Sequence, residues 1–283
     1  MKSKLFVAVM LLSLLSCSDF MRLDSSRVIL KFSPYLTTPF TKSDVSLGDV
    51  FSKLNIMVFT ESGEKVFDKV KTQNSSDDNF GTLSLSLEYG KYQIVAVGHS
   101  SAKSATIKSP TQIQFTAADG EKLTDTFSYY GTIEVSGKQE THELMMTRVV
   151  AMFRLRLTDD SIPSEVIKMK FDYTGGSANY NAVTGQGITK STQSENRNVS
   201  LNNIYEVYTF PYLSDSGELK ITVSALDNAG NVIKKRVFEK VPITVNMITE
   251  YKGQFFSGSE VISGSTYAFG VDPQWSGTDS YEF

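Results

Sequence analysis

Cys17 is the only cysteine of the 283-residue chain, and it lies directly after an apolar run that extends from Leu5 to Leu15. The sequence Leu14-Leu15-Ser16-Cys17 matches a bacterial lipobox, which has a branched apolar residue, a tolerated residue, a small residue and then the modified cysteine. In a lipobox the thiol receives a diacylglyceryl group, signal peptidase II cuts before the cysteine, and the new amino group is acylated. The sequence therefore predicts a lipoprotein modified at Cys17.

The first sixteen residues have the composition of a secretory signal. Lys2 and Lys4 precede the apolar run, which is too short for a transmembrane helix of roughly 20 residues. We expect residues 1–16 to be removed and residues 17–26 to form a lipidated tether, which leaves 26 basic against 31 acidic residues. Two or more acyl chains bind a bilayer stably, so the folded part is expected to lie in water while the lipid holds it at a membrane. The alternative is an ordinary secreted protein in which Cys17 is merely part of the signal.

The residue types needed for catalysis or metal binding are scarce. His99 and His142 are the two histidines, and neither has a cysteine, a second histidine or a carboxylate pair at ligand spacing. The sequence contains no GxSxG, no HExxH and no glycine-rich phosphate loop. One cysteine cannot form an intrachain disulfide, and a formal charge of −3 offers no basic surface for nucleic acid. We expect no enzyme activity, no cofactor, no metal and no nucleic-acid partner, with both histidines at the surface or at strand ends.

Two further groups of side chains have both a binding and a structural interpretation. Asp77 and Asp78 supply oxygen atoms that suit calcium, but their surroundings lack the pattern of a calcium loop, so we expect a solvated hairpin loop. Tyrosines in strands form either a sugar-binding platform or part of a core. The tyrosines concerned are Tyr129, Tyr130, Tyr205, Tyr208 and Tyr212. A surface glycan-binding lipoprotein is therefore an alternative function.

The rest of the chain alternates between apolar and polar residues with a period of two, which is typical of half-buried strands. Gly, Ser, Asn and Asp clusters separate these runs. One short segment, 47–54, has helix-compatible spacing, and the very polar segment 191–200 is expected to be an exposed loop. The predicted strands are 28–32, 54–59, 83–87, 92–97, 141–146, 149–157, 205–210, 219–223, 232–238 and 251–256. This pattern predicts an all-β fold of antiparallel sandwiches.

The length favours two tandem domains rather than one. A strand that ends near Met146 runs directly into a stronger strand from Val149, so we place the boundary between Thr147 and Arg148. The prediction is an N-terminal β-sandwich over residues 27–147 and a C-terminal β-sandwich over residues 148–283, with one or more tail strands at the end.

Four segments together resemble the fimbrial lipoproteins of the Bacteroidales. Residues 54–63 are similar to a strand followed by an acidic-Gly turn near the start of those proteins, and residues 87–98 to a strand with the pattern G-x-Y-x-hydrophobic-x-A. Residues 144–153 resemble the passage that opens their second domain, and residues 245–256 a late strand with the pattern N-x-x-T. The four segments occur in the expected order, which makes the set more specific than any one of them.

The resemblance implies a FimB-like or fimbrillin-like subunit built from two transthyretin-like β-sandwiches. Such subunits join by donor-strand exchange, in which a strand from a neighbour fills a groove in an incomplete sandwich. In polymerising subunits an arginine-specific protease removes the first strand and opens this groove. Anchor subunits keep the strand, and the outer membrane then holds one end of the fibre through their lipid.

The positions of the arginines favour an uncleaved anchor or minor subunit that supports cell adhesion. Arg22 and Arg27 are the possible cleavage sites, but both precede the first predicted strand, and no other arginine occurs before Arg148. Cleavage there would release the lipid and leave the strand in place. A polymerising shaft or tip subunit is the alternative. The tail, residues 259–283, is apolar enough either to donate a strand to a neighbour or to complete its own sandwich.

Overall fold

The computed structural model describes residues 25–35, 46–117, 120–257, 261–262, 267–270 and 275–283. This part of the chain contains one short helix, α1 (Leu47–Val50), and twenty-two strands, so the predicted all-β class is confirmed. Within the described ranges, no helix is long and apolar enough to span a bilayer.

The strands follow one another with few long connections. In chain order they are β1 (Ser25–Pro34), β2 (Lys53–Thr60), β3 (Lys71–Asn74), β4 (Thr82–Glu88), β5 (Gly90–His99), β6 (Thr106–Ser109), β7 (Gln112–Gln114), β8 (Phe127–Val135), β9 (Gln139–Arg148), β10 (Ala151–Leu157), β11 (Lys168–Thr174), β12 (Gly176–Ser177), β13 (Asn179–Asn181), β14 (Gln186–Gly187), β15 (Gln193–Asn198), β16 (Ile204–Pro211), β17 (Ser216–Leu226), β18 (Val232–Thr244), β19 (Met247–Gly253), β20 (Val261–Ile262), β21 (Tyr267–Gly270) and β22 (Gly277–Glu282).

The first half of the chain forms a seven-stranded sheet in the order β3-β2-β5-β8-β9-β1-β4. Strands β8 and β9 pair only at Phe127↔Arg148 and Ser128↔Thr147, so the sheet is folded at this point into two layers. Side chains from both layers meet in one apolar cluster, to which β1, β2, β5, β8 and β9 all contribute. We call this cluster the first core.

The second half of the chain forms two sheets that share a second core. One sheet has the order β12-β16-β10-β19-β22-β21, and the other has the order β15-β11-β17-β18-β20. Phe153 lies at the centre of this core, where its ring is 5.7 Å from Phe238 and 5.8 Å from Tyr251. Most neighbouring strands are antiparallel, but β1–β9, β10–β19, β19–β22 and β18–β20 pair in parallel. A period of two does not encode this difference, because side chains alternate in both arrangements.

A third apolar cluster, the junction cluster, joins the two halves. It combines the outer faces of β2 and β5 with residues that follow Arg148, including Met152 and Ile248. A four-stranded sheet, β14-β13-β7-β6, also crosses the junction, because β7 from the first half pairs with β13 from the second. The halves are therefore in contact through both apolar packing and backbone hydrogen bonds.

Helix α1 is shorter than the segment 47–54 that its spacing predicted. Ser46 and Asp49 form a capping box at its start, and the chain leaves the helix at Phe51. The ring of Phe51 packs over Gly98, where an added Cβ would lie only 2.3 Å from a ring carbon. Residues Lys53–Thr60 belong to β2, whose apolar side chains alternate between the first core and the junction cluster.

The segment 191–200 is not the exposed loop that its polar composition suggested, because residues Gln193–Asn198 form β15. Glu195 is buried, and its Oε1 accepts a hydrogen bond of 2.6 Å from the Tyr173 hydroxyl. Its Oε2 accepts one of 2.8 Å from Nη2 of Arg197. A carboxylate with these partners tolerates burial, so a polar segment forms an edge strand with a buried position here.

Arg148, the last residue of β9, is a buried link between the two halves. It donates to both carboxylate oxygens of Asp125, at 2.7 and 2.8 Å, and to Oδ1 of Asn246 at 2.8 Å. Its guanidinium carbon lies 3.9 Å from the ring centroid of Trp275 and 4.7 Å from that of Phe127. Asn246 and Trp275 belong to the second half of the chain, so one side chain joins β9 to both.

Replacing Arg148 by Ala is expected to lower the free energy of unfolding by about 3–5 kcal/mol, because it leaves Asp125 without its bidentate partner in a partly buried site. Urea unfolding of the purified variant measures the change. The matched control is Lys31→Ala, which removes an ion pair to Glu143 between two exposed side chains and should cost about 1 kcal/mol or less. Equal losses in the two variants would contradict the role given to Arg148.

Candidate functional site

Strand β1 is the part of the described structure closest in sequence to the predicted lipid site, and it lies inside a sheet. It pairs in parallel with β9 over eight positions, from Arg27↔Gln139 to Pro34↔Met146. On its other side it pairs antiparallel with β4 over seven positions, from Ser25↔Glu88 to Lys31↔Thr82. Both edges of β1 are therefore occupied within the chain's own sheet.

The side chains of β1 alternate between the first core and the outer surface. Val28 and Leu30 are fully buried and Phe32 nearly so, whereas Arg27 and Lys31 are exposed. Burial of each such apolar side chain is worth about 1.5–3 kcal/mol, so loss of the strand would remove a large part of the first core. It would also leave an apolar groove between β9 and β4.

Arg27, one of the two possible cleavage sites, lies within the paired part of β1. Its backbone N–H donates to the carbonyl of Lys138 at 3.0 Å, and it lies opposite Ser86 of β4. A protease binds its substrate as an extended, unpaired segment, so cutting after Arg27 requires this end of β1 to leave the sheet first. Arg22, Cys17 and the lipobox residues Leu14, Leu15 and Ser16 lie outside the described residues.

The start of β1 is the point at which the predicted tether would join the fold. Ser25 lies opposite Glu88, beside the tight turn at Tyr89 and Gly90. Seven residues lie between Cys17 and Ser25, and the eight steps from one Cα to the next span at most about 28 Å in a fully extended chain. A lipid on Cys17 would therefore hold this end of the first half close to the bilayer.

The tail completes a sheet of the same chain. Strand β22 lies between β19, with which it pairs in parallel over six positions, and β21. The Tyr281 ring stacks on Tyr251 at 4.8 Å, and the Phe283 ring lies 5.1 Å from Phe238. The described part of the tail therefore completes a sheet of its own chain, which is one of the two alternatives predicted for residues 259–283.

His99 lies at the end of β5, as the sequence suggested, but it is fully buried. Its Nε2 is 2.8 Å from Oδ1 of Asn55, and its Nδ1 accepts a hydrogen bond of 3.1 Å from the backbone of Ser101. This arrangement places the ring proton on Nε2. Burial lowers the pKa of His99 to about 4, with a smaller contribution from the charge of Lys53.

The low pKa of His99 makes stability depend on pH. The unfolded chain binds a proton near pH 6.5 and the folded chain only near pH 4, so the free energy of unfolding falls as pH decreases through this interval. The full effect is roughly 3 kcal/mol. We expect urea unfolding at pH 7 and pH 4.5 to show a smaller loss for His99→Gln than for the wild type. An unchanged loss in His99→Gln would contradict the assignment.

The remaining candidate residues are not assembled into a single site. His142 Nε2 lies 3.2 Å from a carboxylate oxygen of Glu140, and the described residues contain no group of three metal-binding side chains. Asp77 accepts a hydrogen bond from the backbone of Asn74, which fits a turn. The tyrosines are dispersed: Tyr129 packs on the first core, Tyr130 on the junction cluster and Tyr205 in the second core. The structure therefore does not form the five-tyrosine platform.

Residues 16–256 match the family model of the fimbrillin-A associated anchor proteins Mfa1 and Mfa2. This match covers well over half of the chain, so the protein belongs to that family. Its role is accordingly fimbrial and its place is the cell surface. No curated protein matches the chain significantly.

Solved structures share the fold at low sequence identity. A candidate adhesin from Bacteroides ovatus is 11% identical with a TM-score of 0.50, over 75% of this chain and 77% of that one. A second candidate adhesin from the same species is 10% identical with a TM-score of 0.50, over 77% and 82%. The fimbrial anchor protein Mfa2 from Porphyromonas gingivalis is 13% identical with a TM-score of 0.41, over 75% and 81%. The two likenesses with a TM-score of 0.50 concern the fold.

Proposed function

We propose that this chain is the lipid-anchored base subunit of a fimbria, held in the outer membrane through Cys17 and retaining its first strand. The position of β1 carries the proposal, because the strand lies between β9 and β4 and buries Val28, Leu30 and Phe32. Membership of the anchor family supports the same role. The protein would support adhesion of the cell as part of the fibre.

A retained β1 closes one end of a strand-exchange chain. The groove that β1 fills in the first core cannot receive a strand from another subunit while β1 is present. A subunit with a filled groove ends the polymer at its own position. A lipid on the same strand's tether would then fix that end of the polymer to the membrane.

The tail is the segment that we propose to be donated to the neighbouring subunit. Strand β21 forms an edge of its sheet, and β20 pairs with β18 at only two positions. Release of β22 would expose Tyr281 and Phe283, and an equivalent groove in the partner would bury such side chains again. The exchange leaves the buried apolar area nearly unchanged, because the side chains of the tail are buried again in the partner. The unpaired strand edges of the partner's open groove gain backbone hydrogen bonds, and this gain drives the exchange.

The charge and the histidines of the chain support two negative assignments. We infer that the protein has no enzymatic role and no nucleic-acid partner, because its charges are balanced and the described histidines are used in local hydrogen bonds. The alternative of a cleaved shaft or tip subunit requires removal of all of β1. Cleavage at Arg22 or Arg27 would leave residues 28–34 in the sheet, where all of them pair with β9 and residues 28–31 also pair with β4.

Replacing Cys17 by Ala tests the lipid anchor. We expect the variant to lose its acylated N-terminus by intact mass spectrometry and to move from the membrane fraction to the soluble fraction, with fimbriae found in the medium. The matched control is Ser18→Ala, which leaves the thiol in place and should behave as the wild type. Membrane retention and firmly attached fibres in the Cys17→Ala strain would refute the lipid anchor.

Two engineered disulfides separate the roles of β1 and the tail. Ile29→Cys with Ser84→Cys locks β1 to β4, and Lys252→Cys with Glu282→Cys locks β22 to β19, at positions that are direct partners. Neighbouring strands have Cα separations of about 4.5–5.5 Å, which suit a disulfide. We expect normal attached fimbriae with the β1 lock and detached fimbriae with the tail lock.

Each single-cysteine variant serves as the control for its pair, and reducing conditions during assembly should restore attachment in the tail-locked strain. Loss of attachment with the β1 lock would support a shaft role instead. Normal attachment with the tail lock would show that the tail is not the donated strand.

A further inference from the structure

A groove of about 780 Å³ lies where the two halves of the chain meet, away from β1. One wall comes from the first half, at Ser100 and the segment 121–125. The floor and the other wall come from the second half, mainly from β10, β16 and the end of β15. The groove is therefore a feature of the assembled fold rather than of either half.

The floor of the groove carries ion pairs arranged across neighbouring strands. Arg154 of β10 is the direct cross-strand partner of both Glu206 and Glu250. Its Nε lies 2.8 Å from Oε1 of Glu206. Two residues further along β10, Nε and Nη2 of Arg156 donate to Oε2 of Glu250 at 3.2 and 2.9 Å. These pairs fix the planar groups in defined orientations.

Arg197 lies at the side of the groove and contacts residues of both halves of the chain. Its Nε donates to the carbonyl of Glu206 at 3.0 Å and lies 3.6 Å from Oε1 of Glu121 in the first half. Its Nη2 donates to the buried carboxylate of Glu195. One guanidinium thus touches three segments of the chain, which makes the groove preorganised for a ligand.

A tyrosine extends the polar network toward the junction cluster. The Tyr208 hydroxyl donates to Oε2 of Glu206 at 3.1 Å, and its ring is stacked with Trp275 at 6.4 Å. Burial and the charge of Glu206 raise the pKa of Tyr208 above its usual value, so the hydroxyl remains a donor at neutral pH. Tyr208 is one of the residues that line the groove.

The chemistry of the lining limits the kind of ligand. Three arginines face three carboxylates in the groove, so its formal charge is zero; they are Arg154, Arg156, Arg197, Glu121, Asp125 and Glu206. An anionic ligand would meet the carboxylates and a cationic ligand the guanidiniums. A neutral ligand with many hydroxyl groups can donate to the first set and accept from the second.

The backbone of the floor argues against a peptide strand as the occupant. Strand β10 pairs with β16 on one side and with β19 on the other. A peptide that adds to a sheet needs a free strand edge for main-chain hydrogen bonds. Along β10 only side chains are offered, and the carbonyls of Glu206 and Tyr208 on β16 already accept hydrogen bonds from Arg197 and Tyr173, which suits a ligand recognised through its hydroxyl groups.

We propose that this groove binds a neutral oligosaccharide, with Arg156 and Glu206 bonding adjacent hydroxyl groups and Tyr208 contacting a sugar ring. The site is separate from β1, so it adds a binding activity to the proposed anchoring role. A carbohydrate site at the base of a fimbria would hold the cell-proximal end against surface polysaccharide.

The test uses the full-length protein purified from membranes in detergent and a printed array of neutral, sialylated and sulfated oligosaccharides. We expect binding to neutral glycans, and at least tenfold weaker binding for Arg156→Ala measured by calorimetry with the best neutral glycan. Lys170→Ala is the matched control, because it removes a comparable ion pair with Asp172 outside the groove. This control should bind as the wild type.

A second variant guards against a loss of folding. Asn198 lines the groove and is exposed, so Asn198→Trp fills the space without removing an ion pair, and it should abolish binding at an unchanged melting temperature. Binding to no neutral glycan, or preference for sulfated or sialylated ones, would overturn the proposal. So would wild-type binding by Asn198→Trp. If the wild type binds no glycan and the Asn198→Trp strain has detached fimbriae, the groove is instead a site where another protein docks.

Discussion

The double pairing of β1 is the constraint on which the proposed function depends. With β9 on one side and β4 on the other, the strand is fixed by two ladders of backbone hydrogen bonds. The same strand supplies Val28, Leu30 and Phe32 to the first core, so it cannot leave without exposing that core. In the proposed role, a tether at its start would be attached to the whole fold, and the strand would fill the groove that a donated strand needs.

Arg148 connects that strand to the other end of the molecule. It ends β9, the parallel neighbour of β1, and it contacts Asn246 immediately before β19 and Trp275 two residues before β22. In an anchor, force on the tail would pass through these contacts to β9 and then to β1. Parallel strands loaded along their length resist by many hydrogen bonds at once, so this connectivity suits a base subunit.

Period-two patterning could predict ten of the twenty-two strands in the described residues and the all-β class, because one face of each of these strands is buried against a core. It could not predict β15, since the burial of Glu195 depends on Tyr173, which is 22 residues away, as well as on its strand neighbour Arg197. The burial of His99 depends in the same way on Asn55, 44 residues away. The lipobox is a local motif that can be recognised without knowing the fold. The position of β1 between β9 and β4 depends on strand pairings that the sequence alone does not specify.

The two proposed roles meet at Trp275. In the present conformation its ring stacks with Tyr208 at the groove and lies against the guanidinium of Arg148. Donation of β22 to a neighbour would carry Trp275 toward that neighbour, because only Ser276 separates it from the strand. Tyr208 and Arg148 would then lose an aromatic partner, and the floor of the groove would lose support beside β19. Assembly of the fibre and occupancy of the groove would therefore be coupled through one side chain, with the sign set by which tail conformation binds the ligand better.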